Sequence, residues 1–484
     1  MTTRFPEMMD YAGFNAPSRV ECEVYDLVVH GEIPAEINGA WYRAVPDPQY
    51  PPLLGKDTFL SGDGMIGRFW FEDGHVDYRQ RYVQTERILA ERKARRGLFG
   101  KYRNPWTDDP SVRGVERGAA NTTPVFHAGR LFALKEDSRA VELDPVTLAT
   151  RGRYDFGGAL RSRTMTAHTR LDPASGELHF FGYEADGIAS RNVAYCVADA
   201  AGRLIREDWF EVPYCSLMHD FMVTKEHVIF PVVPIVADRE RIEAGGDHWI
   251  FEPGRPCWVG VMPRAGSVQE MRWFRRDEPA IAFHYMNGFS AGDRVHLDFG
   301  RGFNAPFPFI REASGIEFDP ATARSDFVRW TFDLARAGTE IDERVIGPPG
   351  DMPRIADKDF MLDYEIGYYE RFDPTVGPPL IVGPVGAGFN TISRLNLKTG
   401  ELKNLRMDQR STVQEHVHIA STRAGHEGYL AFVVDLHDLM GSEVWIVEAE
   451  HPEQGPLARI ELPLRLRCQV HGNWVDGAQF RAGA

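Results

Sequence analysis

The stretch "LMHDFMVTKEHVIFPVV" (Leu217–Val233) decides how this chain folds. "HDFMV" and "HVIFPVV" are rich in β-branched and aromatic residues, and "TKE" between them is polar turn material, so the segment reads as a β-hairpin. Its beginning is anomalous. A strand otherwise suited to burial opens on two polar residues, His219 and Asp220.

The same arrangement occurs twice more. "AHTRLDPASGELHFFGY" carries His168, and "FHYMNGFSAGDRVHLDF" carries His284, each ahead of a turn and a second strand. The three histidines stand 51 and 65 residues apart. Turn signals such as "HAGR", "DPVTL", "DAAGR", "LKTGE" and "TRAGHEG" separate short strand-like runs along nearly the whole chain. "RLFALKEDSRAVELDPVTLATRGRYDF" reads as consecutive strands and "RLNLKTGELKNLRMD" as a tight hairpin. The class is therefore all-β: a sandwich, a barrel or a propeller. Blades of about 40–50 residues would fit about seven times into this length. From these patterns sandwich, barrel and propeller all stay open, and the repeats are too divergent to fix a blade count. Inner strands of a propeller run side by side around one axis, so residues at matching positions converge there. "CQVHGNWVDG" adds His471 near the end of the sequence. Four converging imidazoles would make a metal site, and nitrogen ligands alone suit iron, copper and zinc alike.

Bulk properties narrow the class further. The chain has 484 residues and a net charge of −15, which argues against nucleic-acid binding. Five scattered cysteines (Cys22, Cys196, Cys215, Cys257, Cys468) give no disulfide framework and point to the cytoplasm. No signal-peptide core opens the chain, and no apolar run reaches the roughly 18 residues a membrane span needs. No low-complexity linker divides it, so a single domain over residues 1–484 is expected. "TERILAERKARRGLFG" (Thr85–Gly100) is the best helix candidate, with "SVRGVERGAA" second. His416 and His418 in "EHVHIAS" could chelate at i, i+2 but read as exposed. Cys468 and His471 form a C-x-x-H pair without a second pair to complete a zinc site. "GPVGAG" (Gly383–Gly388) lacks the following helix that nucleotide binding needs.

Several motifs together resemble the carotenoid cleavage oxygenase family: "FLSGDGMIGRFWF" (Phe59–Phe71), "LFALKED", "AHTRLDP", "MHDFMVT", "GDMPRI", "VQEHVHI" and "HGNW". The resemblance covers most of the chain. It implies a seven-bladed propeller that holds one iron(II), Fe(2+), through His168, His219, His284 and His471. It further implies that Glu136, Asp351 and Glu415 orient the ligand rings, as carboxylates behind metal-bound histidines do. Asp351 stands where the family usually has Glu. One methylene is missing, so either a direct bond or an intervening water is open there.

Within the family, "GLFGKYRNPWTDDPSV" (Gly97–Val112) is similar to a loop of the stilbene-cleaving, lignostilbene dioxygenase subgroup. That likeness implies that Tyr102 and Lys135 hold a phenol oxygen and that Phe59 packs on the phenol ring. Lys135 is noteworthy in its own right, because an unpaired lysine beside the apolar run "LFAL" is costly to bury. Strict strand alternation would send Lys135 and Glu136 to opposite faces, so both serve one site only where the strand ends or bends. The implied activity is cleavage of the central C=C bond of a 4-hydroxystilbene by O2 into two aromatic aldehydes. Apocarotenoid cleavage on the same iron, a non-catalytic propeller scaffold and a zinc hydrolase are the rivals. Expected partners are a small aromatic substrate and O2, with no nucleic acid and no integral membrane contact; a homodimer is the base-rate expectation for assembly.

Overall fold

The computed structural model describes residues 4–317 and 325–482. The protein is all-β, and among the described residues α-helix is confined to Glu86–Ala94, Arg239–Glu243 and Gly477–Ala482. Backbone proximity divides the chain into two compact units. One comprises Met1–Tyr154, Glu370–Arg394 and Lys403–Ala484, the other Asp155–Tyr369 and Leu395–Leu402.

The first unit contains a five-stranded sheet in the order Cys22–Val24, His75–Tyr82, Gly64–Glu72, Gly39–Pro46, Gly472–Asp476. In it Gly472 pairs with Arg43 and Asp476 with Gly39, so a late strand closes a sheet begun by early ones. The strand His75–Tyr82 shows why such segments become sheet. Val76, Tyr78, Gln80 and Tyr82 are buried while the residues between them are not, the period-2 pattern of a half-buried strand. Trp41, Phe69, Phe71 and Tyr78 pack with Tyr429, Val433, Val444 and Ile460 of a six-stranded sheet in one apolar cluster. A four-stranded sheet runs Thr123–His127, Arg130–Leu134, Val141–Leu143, Thr150–Arg153.

The second unit repeats the up-and-down pattern. One sheet runs Arg170–Leu171, Leu178–Gly182, Asn192–Ala198, Leu204–Glu211. The next runs Met222–Val223, His227–Val232, Cys257–Pro263, Arg272–Arg276, and a third Ile281–Ala291, Arg294–Gly302, Ser325–Asp333, Asp342–Gly347. A smaller sheet joins Ile235–Val236, Ile250–Phe251 and Arg311–Glu312. Asp351–Arg354 forms a further strand of this unit.

The hairpin expected over Leu217–Val233 forms, but pairing starts only at Met222, opposite Ile229. Thr224 makes the turn: its Oγ1 accepts from the N–H groups of Glu226 (3.1 Å) and His227 (2.7 Å). His219 and Asp220 lie in irregular backbone just before the strand. The helix expected in Thr85–Gly100 is the shorter Glu86–Ala94, with the Thr85 hydroxyl as N-cap and a left-handed Arg95 (φ 54°) ending it. "SVRGVERGAA" is not an α-helix. It gives one tight turn at Pro110–Val112, and Gly114 at φ +81° then takes the chain out of helical space.

The "SGDGM" segment owes its glycines to close backbone approach. A Cβ on Gly64 would penetrate the carbonyl oxygens of Ala119 and Ala120, whereas one on Gly254 would meet nothing within 4 Å. Gly64→Ala is therefore expected to destabilise the fold by about 1–3 kcal/mol, as overpacked substitutions do. Gly254→Ala should stay close to neutral, and thermal unfolding of the two variants checks the contrast.

Candidate active site

In the second unit three histidine rings face one another. His168 Nε2 lies 2.9 Å from His219 Nε2, which lies 3.3 Å from His284 Nε2. The rings cross edge to face at 62–73°. His219 and His284 are buried, and His168 is partly so. Asp220 explains how segments so far apart in sequence come together. Its Oδ2 accepts from the Arg170 guanidinium, two residues beyond His168, and from the N–H of Tyr285 (3.1 Å), the residue after His284. Its Oδ1 accepts from Phe221 N (2.7 Å). Arg170 Nε in turn donates to the Phe221 carbonyl at 3.0 Å. One carboxylate thus ties the three histidine-bearing segments together.

Asp351 bonds directly to His284, with Oδ1 2.9 Å from Nδ1, so the shorter side chain still reaches. A proton held on Nδ1 by that carboxylate leaves the Nε2 lone pair directed at the other two rings, the tautomer a metal ligand requires.

In the first unit His471 has the same arrangement. Its Nδ1 is 3.0 Å from Oε1 of the buried Glu415. Glu415 Oε2 also accepts from Gly472 N (2.7 Å) and Gln469 Nε2 (3.3 Å). A buried relay backs this pair. Gln469 Oε1 accepts from Arg43 Nε (2.9 Å), Arg43 also donates to Gln414 Oε1, and Gln414 Nε2 donates to Asp435 Oδ1 (2.8 Å). Burial pushes the Asp435 carboxyl up to about 7 against the pull of Gln414 and Arg43.

Lys135 follows the strand Arg130–Leu134 and opens a turn, so alternation no longer separates it from Glu136. Both are buried, at 4% and 5% exposure. The ammonium does not reach solvent. It lies 5.1 Å from the centroid of the Tyr102 ring, with Asn121 Oδ1 at 3.3 Å and the Leu60 carbonyl at 3.4 Å. These are long, weak bonds for a desolvated cation. Asn121 Nδ2 in turn holds the carbonyls of Leu60 (2.9 Å) and Gly62 (2.6 Å), which fixes the loop bearing Phe59. Phe59 is fully buried. Burial, and next the Glu136 carboxylate, push the Tyr102 phenol well above its ordinary value, so it stays a neutral hydrogen-bond donor.

The rejected histidines behave differently from expectation. His416 is fully buried, not exposed, and its Nδ1 lies 2.7 Å from Glu370 Oε1. The same buried carboxylate oxygen also accepts from the His416 backbone N–H at 2.8 Å, so the backbone and the Nδ1 of His416 are both met in the interior. His418 Nε2 lies 2.7 Å from the Glu427 carbonyl oxygen. Among the described residues the five cysteines form no disulfide. Asp172, Glu177 and His179 form a further acidic group, and Arg264 fills it by donating to Asp172 (2.5 Å) and Glu177 (2.8 Å). Sequence reasoning missed Asp220's clamp and the Arg43–Gln469–Gln414 relay. The "HD" pair was a visible signal for the first; nothing in the sequence marks the second.

The model of the family described as retinal pigment epithelial membrane protein, RPE65, matches residues 15–476. The chain belongs to the RPE65/carotenoid oxygenase family. It is 37% identical, over 99% of both chains, to lignostilbene-alpha,beta-dioxygenase isozyme III of Sphingomonas paucimobilis. It is 39% identical to isoeugenol monooxygenase of Pseudomonas nitroreducens over 95% of this chain and 96% of that one. Its fold superposes on the crystal structure of Pseudomonas brassicacearum lignostilbene dioxygenase with a TM-score of 0.95 at 37% identity, covering 98% and 100% of the two chains. The protein is an enzyme of this oxygenase family, whose members depend on iron. Neutral imidazoles backed by carboxylates are a donor set that suits a divalent transition metal of this kind. Among the described residues no helix is long and apolar enough to cross a membrane.

The relay behind His471 makes its own pH signature. Asp435 binds a proton more tightly in the folded chain than an unfolded Asp does, so its contribution to stability falls as pH rises from about 4 to about 7. Asp435→Asn, which keeps an acceptor for Gln414, should raise the melting temperature at pH 8 and flatten its dependence over that window. Melting curves across pH check this.

Proposed function

We propose that His168, His219, His284 and His471 hold one iron(II) ion at the axis of a seven-bladed β-propeller. This propeller forms a single catalytic domain over residues 1–484, with loops and short helices as a cap. Among the described residues seven of the eight sheets have four or more strands, the number that seven blades require. Glu136, Asp351 and Glu415 orient the ligand rings. Asp351 and Glu415 each bond a histidine Nδ1, which supports that role. When bound, the iron activates O2.

The reaction we assign is cleavage of the central C=C bond of a 4-hydroxystilbene into two aromatic aldehydes, both oxygen atoms of O2 entering the products. The buried ammonium of Lys135 beside Tyr102 carries this reading. A desolvated cation with weak partners is stabilised by an anionic oxygen. A free phenol titrates near 10, and a cation within about 4–6 Å lowers such a value by roughly 1–3 units. Lys135 therefore favours the phenolate, and the neutral Tyr102 hydroxyl donates a second hydrogen bond to the same oxygen. Phe59 packs against the ring and sets its plane. An aryl oxide para to the alkene delocalises charge onto the alkene carbons, which makes them nucleophilic where O2 is activated. Stilbenols share this feature with 4-hydroxyphenyl propenes such as isoeugenol, on which one relative is named as acting. An apocarotenoid has no phenol and would leave Lys135 without its counter-charge. Five cysteines that form no disulfide support a cytoplasmic location.

Lys135→Met should leave iron content unchanged while lowering turnover of a 4-hydroxystilbene by about 100-fold or more, the scale of a lost electrostatic contact to developing charge. Full activity of that variant would refute the phenolate role. The 4-methyl ether of the same substrate should not be cleaved, as product analysis under labelled oxygen would show. His219→Ala should lose iron, measured by elemental analysis; an unchanged iron content would remove His219 from the ligand set.

A further inference from the structure

Arg467 lies against the proposed substrate platform, and among the described residues its guanidinium donates no hydrogen bond to Lys135 or Tyr102. Its guanidinium carbon is 4.3 Å from the centroid of the Phe59 ring. The residue is 2% exposed. Nη2 donates to the Asp10 carbonyl at 3.0 Å, while Nε and Nη1 find no hydrogen-bond partner among the described residues. A buried arginine normally has its donors satisfied. This one directs a desolvated charge at an aromatic face instead. Burial pulls its pKa down only to about 10, so it remains a cation at neutral pH.

The ionisable groups acting on this guanidinium are Asp47, Tyr11, Arg465 and Cys468, together with Asp10, which shares the 3-10 turn Met9–Tyr11 with Tyr11. Asp10 Oδ1 accepts from the Phe59 N–H at 2.6 Å. Asp47 is engaged by the Ser18 hydroxyl (2.6 Å) and Tyr82 hydroxyl (3.3 Å). The guanidinium therefore covers one face of the Phe59 ring, and a ligand must use the other face or the edge.

We propose that Arg467 is a positioning residue that makes Phe59 selective for the ionised form of the substrate ring. A cation on one face draws π density toward itself and leaves the opposite face less negative. An electron-rich aryl oxide stacks better on such a face than on an unpolarised ring, and gains more from it than the neutral phenol does. Lys135 and Tyr102 act at the oxygen; Arg467 acts through the ring. The guanidinium is also held in register with the proposed iron ligand. The Arg467 carbonyl accepts from Arg43 Nη2 (3.2 Å), and Arg43 leads through Gln469 and Glu415 to His471.

This inference rests on the reading that Phe59 packs on a phenol ring, so the test separates the two. The measurement is the apparent pKa of a 4-hydroxystilbene bound to the full iron-loaded protein without oxygen, read from the red-shifted phenolate absorption band. Arg467→Met should raise that pKa by about one unit, the scale of one lost charge interaction, and should lower kcat/KM at pH 7 about tenfold. Arg467→Lys, which keeps the cation, should recover most of the shift. Phe59→Leu should raise the pKa by a similar amount, and Arg467→Met should add no further shift to it. A bound pKa unchanged in Phe59→Leu overturns the proposal whether or not the Arg467 variants fold. So does an Arg467→Met shift that persists in full without the ring. Loss of activity in Lys135→Met with neither shift would leave the phenolate reading standing and this inference refuted. Full activity in Lys135→Met would remove the reading on which it rests.

Discussion

A single carboxylate, Asp220, supports the arrangement of the three facing histidines. Imidazole nitrogens 2.9 and 3.3 Å apart must share protons or a cation, because two lone pairs do not attract each other. The segments that carry them are irregular at His168 and His219 and bulged near His284, so strand pairing alone does not fix their positions. Asp220 substitutes for the missing ladder by accepting from Arg170 and from Tyr285 N. A polar residue at the mouth of an apolar hairpin is thereby accounted for: it is buried and satisfied, and it connects three hairpins.

The same principle recurs around the phenol contacts. Asn121 binds two carbonyls of the Phe59 loop with its amide nitrogen and meets Lys135 with its oxygen. One side chain thus sets the distance between the aromatic platform and the cation. Rigid placement of this kind is what a site that stabilises charge needs, since reorganisation would cost the energy that the field supplies.

Much of this was legible in the sequence because it is local. Hairpins announce themselves by turn residues between alternating strands, and the three repeated histidines stood at comparable points of successive hairpins. Lys135 was legible as a misfit. What escaped was set by contacts between distant residues. Arg43 reaches Gln469 across 426 positions, and no local pattern encodes such a pair. His416 looked exposed because a histidine in a polar run resembles a solvated one; Glu370, 46 residues earlier, takes it into the interior. "SVRGVERGAA" has helix-compatible charges, but its first glycine adopts positive φ. The sequence left a direct bond or an intervening water open at Asp351, and only the placement of its strand, Asp351–Arg354, decides for the direct bond.

The pairing of Gly472–Asp476 with Gly39–Pro46 bears on how the chain matures. A ribosome releases the early strand long before the late one exists, so that sheet waits with an open edge until the late strand is made. Closing it brings together residues more than 400 positions apart, a slow search by the usual relation between sequence separation and folding rate. His471 immediately precedes the closing strand. That imidazole is consequently set in place only when the late pairing forms.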